Sequence, residues 1–311
     1  MFAVVAPGQG AQTVGMLAPW LRDPQRLDLV RTWSDAAGAD LVHLGTTATA
    51  AEIERTEHTQ PLLVAQGLLA LDALSGALPD RVAAMAGHSV GELTVAAHAG
   101  VLSALDAVTL AGIRGRAMAA ACAVAPTSMA AVVGGEEEAV LDRIAELGLE
   151  PATFNGPGQI VAAGLVEDLV RLAAAPPPGT TVKPLAVAGA FHTRHMQPAR
   201  DVFAAAAAEI EFHAPRQLLL SNADGAEQTT GEEVRARLVE QIVRPVRWDR
   251  CVDALTELAP TAVIALPPAR TLTNLLKRRR FTVAPITTPR DLATVVARFA
   301  APTGGLLDVG A

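Results

Sequence analysis

The chain has 311 residues, 50% of them hydrophobic and 18% charged, and Lys+Arg 25 against Asp+Glu 32 leave a formal net charge of −7. Such burial potential with modest charge excludes disorder over most of the length, and the acidic balance argues against general nucleic-acid binding, which draws on a basic excess. No run of about 18 uninterrupted apolar residues occurs, and Cys122 and Cys251 stand far apart with no Cys-x-x-Cys, so neither a membrane span, a disulfide framework nor a thiolate metal site is expected.

Met1–Gly8 carries no basic stretch and does not read as a signal peptide, so a reduced, cytoplasmic setting is expected. Phe2–Ala6 is a short apolar run ending at Pro7-Gly8, a buried strand feeding a glycine-rich loop. Pro61–Leu74 has apolar residues at helical spacing, with Pro61 suited to a first helical position. Arg81–Ala86 reads as a second strand, Glu92–Val101 as a helix, and Leu105–Cys122 as a longer helix with Asp106 near its start. Strand, loop and helix in repetition predict an α/β fold with a mainly parallel sheet.

The middle of the chain has another rhythm. Ser128–Val133 reads as a strand and Glu136–Leu147 as a helix with an acidic first turn. Ala152–Asn155 and Gln159–Ala163 read as strands joined by a Gly156-Pro157-Gly158 turn. Glu167–Ala175 is a helix stopped by Pro176-Pro177-Pro178-Gly179, and Thr180–Val187 a last strand. That βαββαβ order is ferredoxin-like. We therefore expect a small subdomain at 124–187 inserted into a large α/β unit made of 1–123 and 188–311. Gln217–Ser221 and Ala262–Leu266 would add strands to the large unit, and the tail from Pro302 is expected to fray.

The sharpest local signal is Gly87-His88-Ser89-Val90-Gly91, a Gly-x-Ser-x-Gly between a strand-like and a helix-like run. A strand-to-helix bend exposes such a serine, and the following helix aims amide groups at it. Read alone, the pattern could equally be a tight turn with a capping serine. Histidines occur at 43, 58, 88, 98, 192, 195 and 213 and nowhere later, whereas an α/β-hydrolase carries its catalytic histidine late in the chain. His192 lies where the insertion rejoins the large unit, a place where a cleft is expected. His195 completes a His-x-x-His, but no third ligand is evident and no metal is expected. Lys277-Arg278-Arg279-Arg280 is the densest basic run. Such a run is commonly a solvated helix end; the alternative is steering of an acidic partner, aided by Arg244, Arg247 and Arg250.

Taken together these residues resemble the malonyl-CoA:acyl-carrier-protein transacylases of dissociated (type II) fatty acid synthesis. The resemblance rests on Pro7-Gly8-Gln9-Gly10-Ala11-Gln12, the Gly87–Gly91 elbow followed by Glu92, Arg114-Gly115-Arg116, Phe154–Gln159, Ala190-Phe191-His192, and Gln241 before Pro245-Val246-Arg247-Trp248. It implies an α/β-hydrolase-like core carrying a ferredoxin-like insertion. It implies a Ser89/His192 dyad, with His192 oriented by the backbone carbonyl of Gln241, and an oxyanion hole at the N–H of Val90 and near Gln9. Arg114 would grip the malonyl carboxylate through two parallel hydrogen bonds, although Arg114 and Arg116 are not distinguished by the motif. Phe191 would favour malonyl over branched acyl groups, Asn155 would line the pantetheine path, and Lys277, Arg278 and Arg279 would steer the carrier protein. One departure is Pro267-Pro268-Ala269, where many relatives carry Gly-Pro-Gly.

The resemblance further implies a monomer that needs no cofactor, takes malonyl-CoA and acyl carrier protein as its partners, and passes the acyl group through a malonyl-serine in ping-pong order. A discrete polyketide-synthase malonyl acyltransferase would share this chemistry with another carrier. A serine esterase or thioesterase would turn over esters with water and be indifferent to Arg114. A non-catalytic homologue would form no acyl-serine.

Overall fold

The structure, a computed structural model, describes residues 1–78, 81–277 and 279–300. From the N-terminus β1 (Phe2–Ala6) leads into helices α1 (Pro24–Ala37), α2 (Leu41–Thr46), α3 (Ala50–Glu54) and α4 (Thr56–Ala77). Next come β2 (Val82–Gly87), α5 (Gly91–His98) and α6 (Ala104–Cys122). The middle contains β3 (Thr127–Gly134), α7 (Glu137–Glu146), β4 (Glu150–Phe154), β5 (Gln159–Leu165), α8 (Val166–Ala174) and β6 (Thr180–Pro184). The chain returns through α9 (Gln197–Ala208), β7 (Leu218–Leu220), β8 (Glu227–Gln228) and α10 (Gly231–Glu240). It closes with α11 (Trp248–Leu258), β9 (Ala262–Ala265), α12 (Arg270–Leu276), β10 (Val283–Pro285) and α13 (Pro289–Ala300).

A six-stranded sheet has the order β10-β9-β1-β2-β7-β8. All its pairings are parallel except β7 with β8. Every residue of β1 is buried, because the strand is central and both faces are covered. Side chains alternate between the faces: Phe2, Val4 and Ala6 enter the core shared with α4, α5 and α6, whereas Ala3 and Val5 meet Trp248 and Leu255 of α11 and Leu272 and Leu276 of α12.

The second sheet is antiparallel, in the order β4-β5-β3-β6. One face packs Ala130, Val132 and Ile160 against Val140 and Ile144 of α7 and Leu169 and Leu172 of α8. The other face turns Met129, Ala131 and Val161 toward the large unit. β4 is stitched to the loop before α11 by Phe154 N–H to Val246 O and Val246 N–H to Ala152 O, both 2.9 Å. This stitch sets the small sheet over the carboxyl ends of β1 and β2, where open α/β sheets place their ligands.

Two elements differ from the sequence reading. α4 begins at Thr56, so Pro61 lies inside the helix rather than at its first position. An interior proline costs about 3 kcal/mol. Burying Leu62, Leu63, Val64, Leu69 and Leu71, each worth about 1.5–3 kcal/mol, outweighs that loss. β6 stops at Pro184, and Leu185, Ala186 and Val187 leave the sheet to line the cleft. The tail from Pro302 lies outside the described residues.

Candidate active site

The elbow is built where β2 ends. Ser89 adopts a left-handed backbone, φ 52°, which a non-glycine residue holds only when its surroundings enforce it. Close packing explains the flanking glycines: a Cβ on Gly87 would stand 2.1 Å from Glu92 N, and one on Gly91 would stand 2.5 Å from Ala6 O. Asn222, just beyond β7, clamps the bend from the neighbouring strand. Its Oδ1 accepts from Ser89 N at 2.8 Å, and its Nδ2 donates to Gly87 O at 2.6 Å. The N–H of Val90 at the start of α5 has no acceptor among the described residues, nor has that of Gln9.

His192 is the second left-handed residue of the site, φ 63°. Its turn is pinned by Ala190 N donating to Thr127 Oγ1 at 3.1 Å and Thr193 Oγ1 donating to Ala190 O at 2.7 Å. His192 Nδ1 lies 2.7 Å from the backbone O of Gln241, and Nε2 lies 2.8 Å from Ser89 Oγ. A carbonyl can only accept, so Nδ1 carries the proton and Nε2 offers its lone pair to the hydroxyl. Burial, reinforced by the nearby Arg114 charge, pushes the imidazole down to about 3 from its ordinary 6.5, so it rests neutral.

Arg114 of α6 is 2% exposed. Its Nη1 donates to Gln60 Oε1 at 2.7 Å, and its Nη2 donates to Gln241 Oε1 at 2.8 Å and to Ser89 Oγ at 3.3 Å. Arg116, the other arginine of the motif, turns away and donates to Ala37 O at the end of α1. The guanidinium at the serine is therefore that of Arg114.

A cleft of about 480 Å³ joins these groups. Gln9, Val90 and Phe191 line it beside the serine, with Met129, Ala131 and Val161 of the small sheet opposite. Asn155, in the turn between β4 and β5, also faces it and takes His88 Nε2 at 3.1 Å. That bond ties the elbow to the small sheet. An alcohol against a neutral imidazole, free N–H groups beside it and a buried cation within reach make a site suited to acyl transfer from an anionic acyl group.

Comparison with known proteins agrees with this geometry. The acyl transferase domain family matches residues 3–296. The malonyl CoA-acyl carrier protein transacylase of Mycobacterium tuberculosis (strain ATCC 25618 / H37Rv) is 49% identical over 296 residues, covering 94% of this chain and 98% of that protein. The protein of the same name from Escherichia coli (strain K12) is 34% identical over 284 residues, covering 89% and 92%. The chain belongs to the malonyl CoA-acyl carrier protein transacylase family.

Solved structures agree as well. The transacylase superposes on the crystal structure of the M. tuberculosis MCAT with a TM-score of 0.92 at 48% identity, over 95% of this chain and 99% of the other. It superposes with a TM-score of 0.89 at 31% identity on a malonyl-transacylase in complex with its type II PKS acyl-carrier protein, over 96% and 99%.

Several residues of the transacylase site have no counterpart in the sequence reading. Gln60, from α4, holds one end of Arg114. Asn222 carries the elbow clamp. Glu92, quoted above only as a neighbour of the motif, is buried and accepts from Asn222 N at 2.7 Å and from Gln241 Nε2. Of the basic run, Lys277 is exposed at the end of α12, whose Thr271, Leu272 and Leu275 line the cleft. Arg279 pairs with Asp253 at 2.6 Å, and Arg278 lies outside the described residues. Arg247 is engaged by Asp249 at 2.6 Å and stacks over Phe154, while Arg244 and Arg250 are exposed. Among the described residues no helix is long and apolar enough to cross a membrane.

Proposed function

We propose that this protein moves a malonyl group from malonyl-CoA to the phosphopantetheine thiol of acyl carrier protein through a malonyl ester of Ser89. The observation that carries the reading is a cation and a base meeting on one hydroxyl: Arg114 Nη2 at 3.3 Å and His192 Nε2 at 2.8 Å from Ser89 Oγ. The relatives' shared name supports the substrate pair.

In the first half-reaction His192 Nε2 takes the Ser89 proton while Oγ attacks the thioester carbonyl. The oxyanion rests on the N–H groups of Val90 and Gln9. The C–S bond breaks, and the imidazolium proton goes to the departing coenzyme A sulfur. In the second half the carrier's thiol gives its proton to Nε2 and attacks the acyl ester, and the proton returns to Ser89 Oγ. The Gln241 carbonyl fixes the tautomer throughout. Arg114, still held by Gln60 and Gln241, gives up its longer contact to Ser89 Oγ to pair with the malonyl carboxylate. That pairing also removes the charge that suppresses His192, so the base strengthens when the right substrate is bound.

Side chains and backbone groups of one chain supply every role in these steps, so the reading calls on no cofactor and no second copy of the chain. Fatty acid synthesis in the cytoplasm is the setting that goes with it. The likeness to a malonyl-transacylase bound to a type II PKS carrier favours polyketide assembly as the second reading, and Lys277 beside the cleft is offered as a contact for either acidic carrier. Intact-mass analysis after adding malonyl-CoA tests the function. A malonyl adduct absent from Ser89→Ala is expected, and an adduct that survives the substitution removes Ser89 from the mechanism.

A further inference from the structure

Glu92 is 4% exposed, stands one residue into α5, and takes no part in the steps above. Its two oxygens are both engaged. Oε1 accepts from Asn222 N at 2.7 Å, and Oε2 accepts from Gln241 Nε2. The same Nε2 donates to Ser89 O at 3.1 Å, leaving Gln241 Oε1 to accept from Arg114 Nη2 at 2.8 Å. Every contact has one permitted polarity. A backbone N–H and a guanidinium only donate, a backbone carbonyl and a carboxylate only accept. The Gln241 amide is the one group in the relay that could be turned round.

We propose that Glu92 is a positioning residue for malonyl recognition: its carboxylate fixes which way the Gln241 amide points, and the amide in turn holds Arg114 where the malonyl carboxylate arrives. The inference rests on the acyl-transfer reading of Arg114. An amide at position 92 would have to present Nε2 to one of two donors. Facing Gln241, it would turn that amide over and set an NH2 against the Arg114 guanidinium, donor against donor. The cation would then leave its place and Ser89 O would lose the Nε2 donor, while Ser89 N stays held by Asn222 Oδ1 and His192 Nδ1 by the Gln241 backbone carbonyl.

A protonated Glu92 should act in the same way as the amide. Oε1 faces a backbone N–H, so the proton must sit on Oε2 and point at Gln241. Burial raises this carboxyl to about 7, opposed by the hydrogen bonds from Asn222 N and Gln241 Nε2 and then by the charges of Arg114 of α6 and Arg237 of α10. Of the other titratable groups nearby, His192 is held at about 3, burial keeps His88 below its ordinary value, and burial pushes the Cys251 thiol of α11 up.

The test compares Ser89 acylation by malonyl-CoA and by acetyl-CoA, which has no carboxylate for Arg114, in wild type and Glu92→Gln at pH 8. The variant should lose about tenfold or more in kcat/KM for malonyl-CoA, chiefly through KM, while acetyl transfer stays within about threefold. A parallel loss on both substrates, or an unchanged ratio, overturns the proposal. If Glu92→Gln does not fold, the wild type decides: its malonyl preference over acetyl should fall between pH 8 and 6, and a flat ratio overturns it. A wild type that takes no malonyl adduct defeats the acyl-transfer reading itself. One that loads malonyl while the ratio is indifferent to Glu92 defeats this inference alone.

Discussion

Arg114 Nη2 stands 3.3 Å from Ser89 Oγ, so the cation proposed to choose the substrate touches the oxygen proposed to attack it. With Gln60 and Gln241 holding the guanidinium from two sides, the charge is buried without a direct carboxylate partner. Burial lowers it to about 10, and Glu92 opposes that fall from across Gln241. A buried, underpaired cation is a strong attractor for an anionic acyl group and a poor host for a neutral one.

Arg114→Ala should therefore separate binding from chemistry. Removing one partner of a desolvated charged pair costs about 2–5 kcal/mol, or roughly 30- to several-thousand-fold in malonyl kcat/KM. Acetyl transfer should hold or rise, because His192 is freed from a neighbouring positive charge. Steady-state rates on both substrates decide; an unchanged malonyl-to-acetyl ratio hands recognition to another residue.

How much of this site was legible in the chain depended on distance along it. The elbow could be read because Gly87, Ser89 and Gly91 sit in one strand-to-helix step, where local geometry dictates residue type. The small βαββαβ unit could be read for the same reason, since its strands and helices alternate in order with turn residues between them. Gln60 and Asn222 could not: they reach Arg114 and Ser89 across 54 and 133 positions, and neither belongs to a local pattern. Pro61 misled the reading of α4, because tertiary burial outweighed a local helix-start signal. Helices α1–α3 and strand β10 are short or weakly periodic and are held by the core they join.

His192 makes a prediction about pH and stability. It is held near 3 in the fold but takes a proton near 6.5 when unfolded, so its contribution is fully present above 6.5 and is lost as pH falls toward 3. Glu92 has the opposite sign: raised from 4.5 to about 7, it favours the fold in acid and ceases to do so as pH rises through 7. Comparing His192→Gln with wild type isolates the histidine. The variant should gain about 1–2 °C in Tm relative to wild type for each pH unit lowered between 6.5 and 5. A Tm difference that stays constant with pH would mean the imidazole is not held neutral by the fold.

Lys277 tests the carrier contact. It is exposed two residues beyond Leu275, which lines the cleft, whereas Arg279 is already paired with Asp253. Lys277→Glu should raise the KM for acyl carrier protein by about threefold or more at low salt, with the difference shrinking as salt is added. Malonyl loading from malonyl-CoA should be untouched. Equal carrier KM values in the two proteins would leave Lys277 as a solvated helix end.

Asn222 offers the clearest contrast with Glu92. Its side chain satisfies the N–H of Ser89 and the O of Gly87, both buried, across a bend that Ser89 holds at φ 52°. Asn222→Ala leaves both groups unpaired at about 1–3 kcal/mol each and frees a strained residue to relax. The elbow itself should move, so malonyl and acetyl transfer should fall together and Tm should drop by several degrees. Asn222→Asp keeps the acceptor for Ser89 but loses the donor to Gly87 and brings a second carboxyl close to Glu92, so it should recover little. Thermal unfolding and adduct formation rates on the same samples decide. A variant as stable as wild type that loads both acyl groups at the wild-type rate would show that the bend holds its shape without the clamp.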